Sequence, residues 1–272
     1  MAAIDVHSYW LAAVIGLGFT HYALSFYYAR SRITALATNP ASALPVLSLG
    51  GLFCVVYFLE FPLEVYFGIH HAFNEAYLKR YGEKSGAAQE SMAPYRCLLH
   101  LAAYFCILRN DTHLSQFPAG LLWGFIAVSC VLYGLKAKAS QVDRRFNALV
   151  TDHCVEVSLL VAVAVSCFVE INFLQVVMYH FVLWTLLPLP MMRRRGGGHL
   201  EQYLLLTGAT LALIFGALLL VPAGKLSAVL VVALSQFYLW SYLHISASMA
   251  LSSAHPNWIV KLFALPERSV RG

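Results

Sequence analysis

Nine ionisable side chains interrupt long apolar runs: His21, Glu60, Glu64, His100, Asp152, His153, Glu156, His180 and His244. A charge held inside a membrane span costs about 2.5–3.5 kcal/mol on insertion scales, so such residues line ion paths, hold metals or tie helices together. Their spacing sorts them. On a helix, residues four apart share a face. Glu60 and Glu64 in FLEFPLE meet that condition, and His71 follows eleven residues after Glu60. In DHCVE, Asp152 and Glu156 are four apart and His153 and Glu156 three apart, which gives one sector two carboxylates and an imidazole. A His and a carboxylate three apart on an inward face are able to bind one metal, as the Glu-x-x-His pairs of di-iron bundles do in the reverse order.

Counting about 1.5 Å per residue from the expected cytoplasmic helix ends places Glu60, Glu64, His100, His153, Glu156 and His244 in the inner half of the membrane. His21 and His180 fall nearer its middle. Agreement in depth across several helices is expected of a site, whereas a lone His is more often a hydrogen-bonded packing residue. The chemistry that fits is an intramembrane metal-dependent oxidoreductase. Its first expectation is iron, with zinc or manganese as substitutes, since imidazole and carboxylate suit all three. His21, His153, His180 and His244 are the expected metal ligands. Glu60, Glu64 and Glu156 are expected to act as ligands, orienting groups or a general base. An apolar surround suits oxygenation, desaturation or hydroxylation of a carotenoid, quinone or acyl chain. Haem held by facing imidazoles is a variant. The same residues also furnish a proton-coupled transporter or channel, or the interhelical polar contacts of a non-catalytic scaffold. His70, His71, His113, His199 and His255 are expected in loops or at the membrane interface.

The elements that must carry these groups follow from composition. The 272 residues are 60% hydrophobic and 11% charged, far from the quarter that charged residues supply in soluble domains. Only helices or closed barrels satisfy their backbone inside lipid, and the apolar runs are continuous, which selects helices. An all-α, polytopic integral membrane bundle of one domain, residues 1–272, is therefore expected. Its spans lie near 8–29, 44–68, 95–109, 117–135, 147–168, 172–190, 201–221 and 226–250, eight in all, or seven if the third is re-entrant. The first is expected to be retained rather than cleaved as a signal. A tail over about 252–272 should lie on the inner leaflet.

With eight spans, basic residues divide 14 to 4 between the two sides, accounting for all 18. That division places both termini in the cytoplasm, on a cell inner membrane if the source is bacterial. The re-entrant alternative divides them 12 to 6. The net charge of +5 is thus a topology signal; lipid and a small apolar substrate are the expected partners, and nucleic acid is not. The cysteines (Cys54, Cys97, Cys106, Cys130, Cys154 and Cys167) form no CxxC pair and read as apolar thiols. No GxSxG, Walker A, HExxH or Rossmann fingerprint occurs, and the last apolar run lacks the central lysine that a retinal Schiff base needs. His21 in FTHYALS and His180 in YHFVLW are faintly similar to the clustered intramembrane histidines of carotenoid-cleaving membrane oxygenases. The paired histidines those enzymes carry on one late helix are missing, so no membership follows.

Overall fold

The computed structural model describes residues 6–38, 43–77, 87–111, 113–140, 146–222, 225–251 and 255. Among these the chain is helical throughout, with no strand. The helices are α1 (Val6–Thr38), α2 (Ala43–Phe58), α3 (Leu63–Tyr77), α4 (Ala87–Ile107), α5 (Ala119–Ser140), α6 (Phe146–Val165), α7 (Phe173–Leu186), α8 (Pro188–Arg195), α9 (His199–Leu219) and α10 (Leu226–Leu251). Each of the eight apolar runs is largely helical, the one over 44–68 in two pieces. By length and composition, five stretches can cross a membrane: Trp10–Ala35, Ala119–Ala139, Phe173–Arg195, His199–Leu219 and Ala228–Met249. Val46–Phe58 and His153–Val165 are apolar but shorter. Leucines and valines such as Leu205, Leu213, Val231 and Leu135 are exposed along these helices, which is the surface that lipid accommodates. The tail expected over 252–272, His255 apart, lies outside the described residues, as does the side chain of Asp152.

The expected single span 44–68 is broken, and the break has a backbone cause. Pro62 has no N–H and pushes the residue before it out of the helical region. Glu60 takes a left-handed conformation with φ 50°. Its N–H donates to Tyr57 O at 3.2 Å, and the N–H of Phe61 donates to Val56 O at 3.0 Å. Those two bonds form a Schellman ending, in which the left-handed position usually holds glycine. Glu60 is therefore an exposed helix-end residue, while Glu64 opens the first turn of α3. The two carboxylates do not share a face of one helix.

The chain divides at this break into two compact units. The first contains α1, α2, α7 from Leu174 onward, and α8, α9 and α10; the second runs from Pro62 to Phe173 and includes His255. In the first unit α1 packs on α2, α9 and α10, and α10 packs on α2. Gly18 is what allows the closest approach. A Cβ there would stand 2.4 Å from the Phe237 ring and 2.9 Å from that of Phe181. In the second unit α4 is the hub, packed against α3, α5 and α6.

Candidate functional site

One turn beyond Gly18, α1 presents His21 to His244 of α10 and His180 of α7, all three buried. The Nε2 atoms of His21 and His244 are 3.2 Å apart and hydrogen-bonded. One ring must carry its proton on Nε2 while the other leaves Nε2 bare, so the two rings hold opposite tautomers. The His180 ring lies edge-on to His21, centroids 5.3 Å apart. Aromatic rings enclose the group. Phe181 stands 5.3 Å from His21, Tyr22 5.1 Å from His244, and Trp184 6.0 Å from His180. Ser241 donates to Phe237 O at 2.8 Å, so the Tyr22 hydroxyl donates to Ser241 Oγ at 2.7 Å. That bond fixes Tyr22 beside His244. Three of the four histidines expected as metal ligands are thus brought together from segments more than 60 residues apart.

The fourth, His153 on α6, belongs to the second unit, where its Nδ1 is hydrogen-bonded to the Tyr133 hydroxyl. Glu156, one turn on, is buried and paired with Arg96 of α4 at 2.9 Å. Its Oε1 faces His100 Nε2 at 3.9 Å, beyond hydrogen-bonding distance. His100 Nδ1 donates to Glu75 at 2.8 Å, and Glu75 also accepts from His71 Nε2 at 2.7 Å, one turn back on α3. The Tyr104 ring stacks edge-on against His71 at 4.2 Å. Burial pushes the Glu75 carboxyl up, but the His71 imidazole beside it and the hydrogen bonds from His100 and His71 outweigh that and hold it well below the usual carboxylate range.

Several of these groups were expected elsewhere. His70 and His71 are buried inside α3 rather than in a loop, and His255 is buried as well. Arg96 is buried within α4. Glu75 was not singled out by sequence, yet its four-residue spacing from His71 is the pattern that matches an i,i+4 pair. Glu64 is bonded to His113 at 3.0 Å, near the surface. Glu60 is exposed at the helix break.

Among the described residues no group of three or more His, Cys, Asp and Glu side chains stands ready to hold a metal ion. No protein-family model, curated protein or solved structure matches the chain.

Proposed function

We propose that the chain is a multi-pass integral membrane protein working as a metal-dependent oxidoreductase on a lipid-soluble substrate, with His21, His180 and His244 as its metal-holding residues. The observation that carries this reading is the convergence of three imidazoles from α1, α7 and α10 within an aromatic surround. Two nitrogens bound at 2.0–2.1 Å to one tetrahedral ion lie about 3.4 Å apart, close to the 3.2 Å between His21 and His244. Binding requires the proton between those nitrogens to leave and the His180 ring to turn onto the pair. Tyr22, held by Ser241, limits how far His244 can swing. The metal would supply Lewis-acid or redox chemistry; the rings around it would exclude water and take up an apolar chain such as a carotenoid, quinone or fatty acyl group. Glu156 and His153 are engaged by Arg96 and Tyr133 and are left out of this set.

The deciding experiment is metal analysis by mass spectrometry of the detergent-purified full chain from metal-replete cells. About one iron, zinc or manganese per chain is expected, lost in His21→Ala and His244→Ala and retained in His153→Ala. Metal-free wild-type protein would sink the proposal. A Soret band would replace the non-haem ion with haem.

A further inference from the structure

The first unit gathers arginines at one of its ends. A Cβ at Gly16 of α1 would stand 2.7 Å from the Phe215 ring, while further along α1 the Tyr27 hydroxyl accepts from Gln202 at 2.9 Å. The contacts climb α1 as they descend α9, so the two helices are antiparallel and the end of α1 meets the start of α9. Tyr203 donates to Thr185 O at 2.7 Å, which brings the end of α7, and α8 after it, to the same place. In a reading of eight spans, Arg30 and Arg32 follow the first span and Arg193, Arg194 and Arg195 follow the sixth, on opposite sides of the membrane. The packing sets all five at one end.

Depth puts that end at the lipid headgroups. Arg30 lies nine residues beyond the buried His21, about 14 Å along the helix, and Trp10 lies eleven before it. A hydrocarbon core is about 30 Å thick, so Trp10 and the pair Tyr27 and Tyr28 stand where interfacial aromatics stand. The rings of Tyr27 and Tyr28 meet edge-on at 5.3 Å, and Tyr28 lies 6.1 Å from Tyr203. Leu24, Met192 and Tyr203 form an apolar cluster beside them, and Leu204 and Leu205 are exposed on α9.

The arginines have little to neutralise them. Arg30 is held over the Tyr27 ring at 4.1 Å and donates to Tyr27 O at 2.8 Å. Arg193, Arg194 and Arg195 are exposed, and among the described residues their guanidinium groups have no hydrogen-bonded or ionic partner. Within residues 24–38 and 187–203, Glu201 is the single acid against five arginines. Residues 39–42 carry no charge, and 252–272 add Lys261, Arg268 and Arg271 against Glu267. Gly196, Gly197 and Gly198 hold φ of 64°, 57° and 77°, which glycine adopts without strain. A Cβ at Gly196 or Gly197 would meet nothing within 4 Å, so the connection beside the arginines is open.

We propose that this arginine and tyrosine face binds the headgroups of anionic phospholipids and holds the ends of α1 and α8 and the start of α9 on the cytoplasmic side of the membrane. A guanidinium matches a phosphate with two parallel hydrogen bonds. A soluble anion would need only the charge; the apolar cluster and the exposed leucines suit a phosphate that carries acyl chains. Anionic lipid is concentrated in the cytoplasmic leaflet, and basic residues at span ends face it. Lys225 is the one Lys or Arg between α9 and α10, at the other end of these helices. The start of α1 then lies away from the cytoplasm. None of this draws on a metal at His21, His180 and His244.

The test reconstitutes the full chain in phosphatidylcholine vesicles with a trace of spin-labelled phosphatidylglycerol or spin-labelled phosphatidylcholine. The immobilised fraction of each label reports its share of the protein surface. Wild type is expected to prefer phosphatidylglycerol about fivefold at low salt, and less as salt rises. Changing Arg30, Arg193, Arg194 and Arg195 together to Gln should remove most of that preference with an unchanged circular dichroism spectrum, whereas Lys225→Gln should keep it. A wild-type chain without preference overturns the proposal, and so does a preference that the four-residue variant retains. The side of the membrane is read separately. A protease recognition sequence inserted between Gly197 and Gly198 should be cut in inside-out membrane vesicles and spared in right-side-out ones. The opposite pattern overturns the cytoplasmic placement.

Discussion

The two units bury the same kind of side chain in opposite company. In the first, His21 meets His180, His244 and aromatic rings, and is hydrogen-bonded to His244. In the second, His71 and His100 are both bound to the Glu75 carboxylate, and the neighbouring Glu156 is paired with Arg96. An imidazole set among other rings offers a metal its bare nitrogen while the other nitrogen keeps its proton. An imidazole bonded to a carboxylate has beside it a charge that favours its protonated form. Histidine alone therefore does not identify a chemistry; the neighbouring charges do.

The comparison is broken most severely by unbalancing the charged unit. Arg96→Met keeps the stem and removes the guanidinium, leaving Glu156 buried beside one fewer cation. Losing one partner of a buried pair typically costs about 3–5 kcal/mol, so thermal unfolding in detergent should show a large loss of stability. The double change Arg96→Met with Glu156→Leu should recover much of it. If the single variant melts like wild type, the pair is not buried as described. Metal content, which belongs to the first unit in this reading, should be retained by any fraction that folds.

A smaller loss is expected from the apolar unit. Gly18→Ala sets a methyl 2.4 Å from the Phe237 ring and 2.9 Å from the Phe181 ring, and overpacking of this kind costs about 1–3 kcal/mol. Phe181 also neighbours His21, so the strain reaches the histidine group. The variant should bind metal more weakly while leaving the bond between His100 and Glu75 alone. Equal metal occupancy in Gly18→Ala would show that the site tolerates displacement of its aromatic wall.

This asymmetry also explains how much was legible. Apolar length revealed the long apolar helices but not most of α3 or the separate α8, because a helix in an apolar solvent needs little more than continuous hydrophobicity. It did not reveal the break at Glu60, since a Glu in a left-handed helix end looks the same in sequence as a Glu inside a span. His21, His180 and His244 stood out because no charged residue lies near them in sequence. Glu75, His71 and Arg96 did not, because polar neighbours made them look like connecting residues and loop cations. Their partners come from other helices, Glu75 to His100 and Arg96 to Glu156, and such pairings are invisible without the packing of α3, α4 and α6.

Acid should separate the units further. The folded-state Glu75 carboxyl titrates below its ordinary value of 4.5. A depressed carboxylate stabilises the fold above the unfolded pKa, and that stabilisation disappears as pH falls through the folded value. Melting temperature should therefore fall below about pH 4.5 in the wild-type chain. Glu75→Gln should be less stable at pH 7 and lose less on acidification. Parallel pH profiles for the two proteins would mean that Glu75 is not held by His71 and His100.

The mildest change concerns the point where the units divide. Glu60 holds φ 50°, a conformation that costs a residue with a Cβ about 1–2 kcal/mol and glycine almost nothing. Against this, glycine loses more conformational freedom on folding, which costs about 0.5–1 kcal/mol. The balance favours glycine slightly at this position, so Glu60→Gly should melt at the wild-type temperature or a little above it. Tyr242, whose hydroxyl donates to Phe61 O at 2.5 Å, secures the next residue and keeps the helix end in place in either variant. The same substitution also weighs Glu60 as a catalytic group, because it removes the carboxylate without disturbing the backbone. Unchanged metal content together with unchanged stability would leave Glu60 as a helix terminator, and loss of metal in a fully stable variant would bring its carboxylate back to the site.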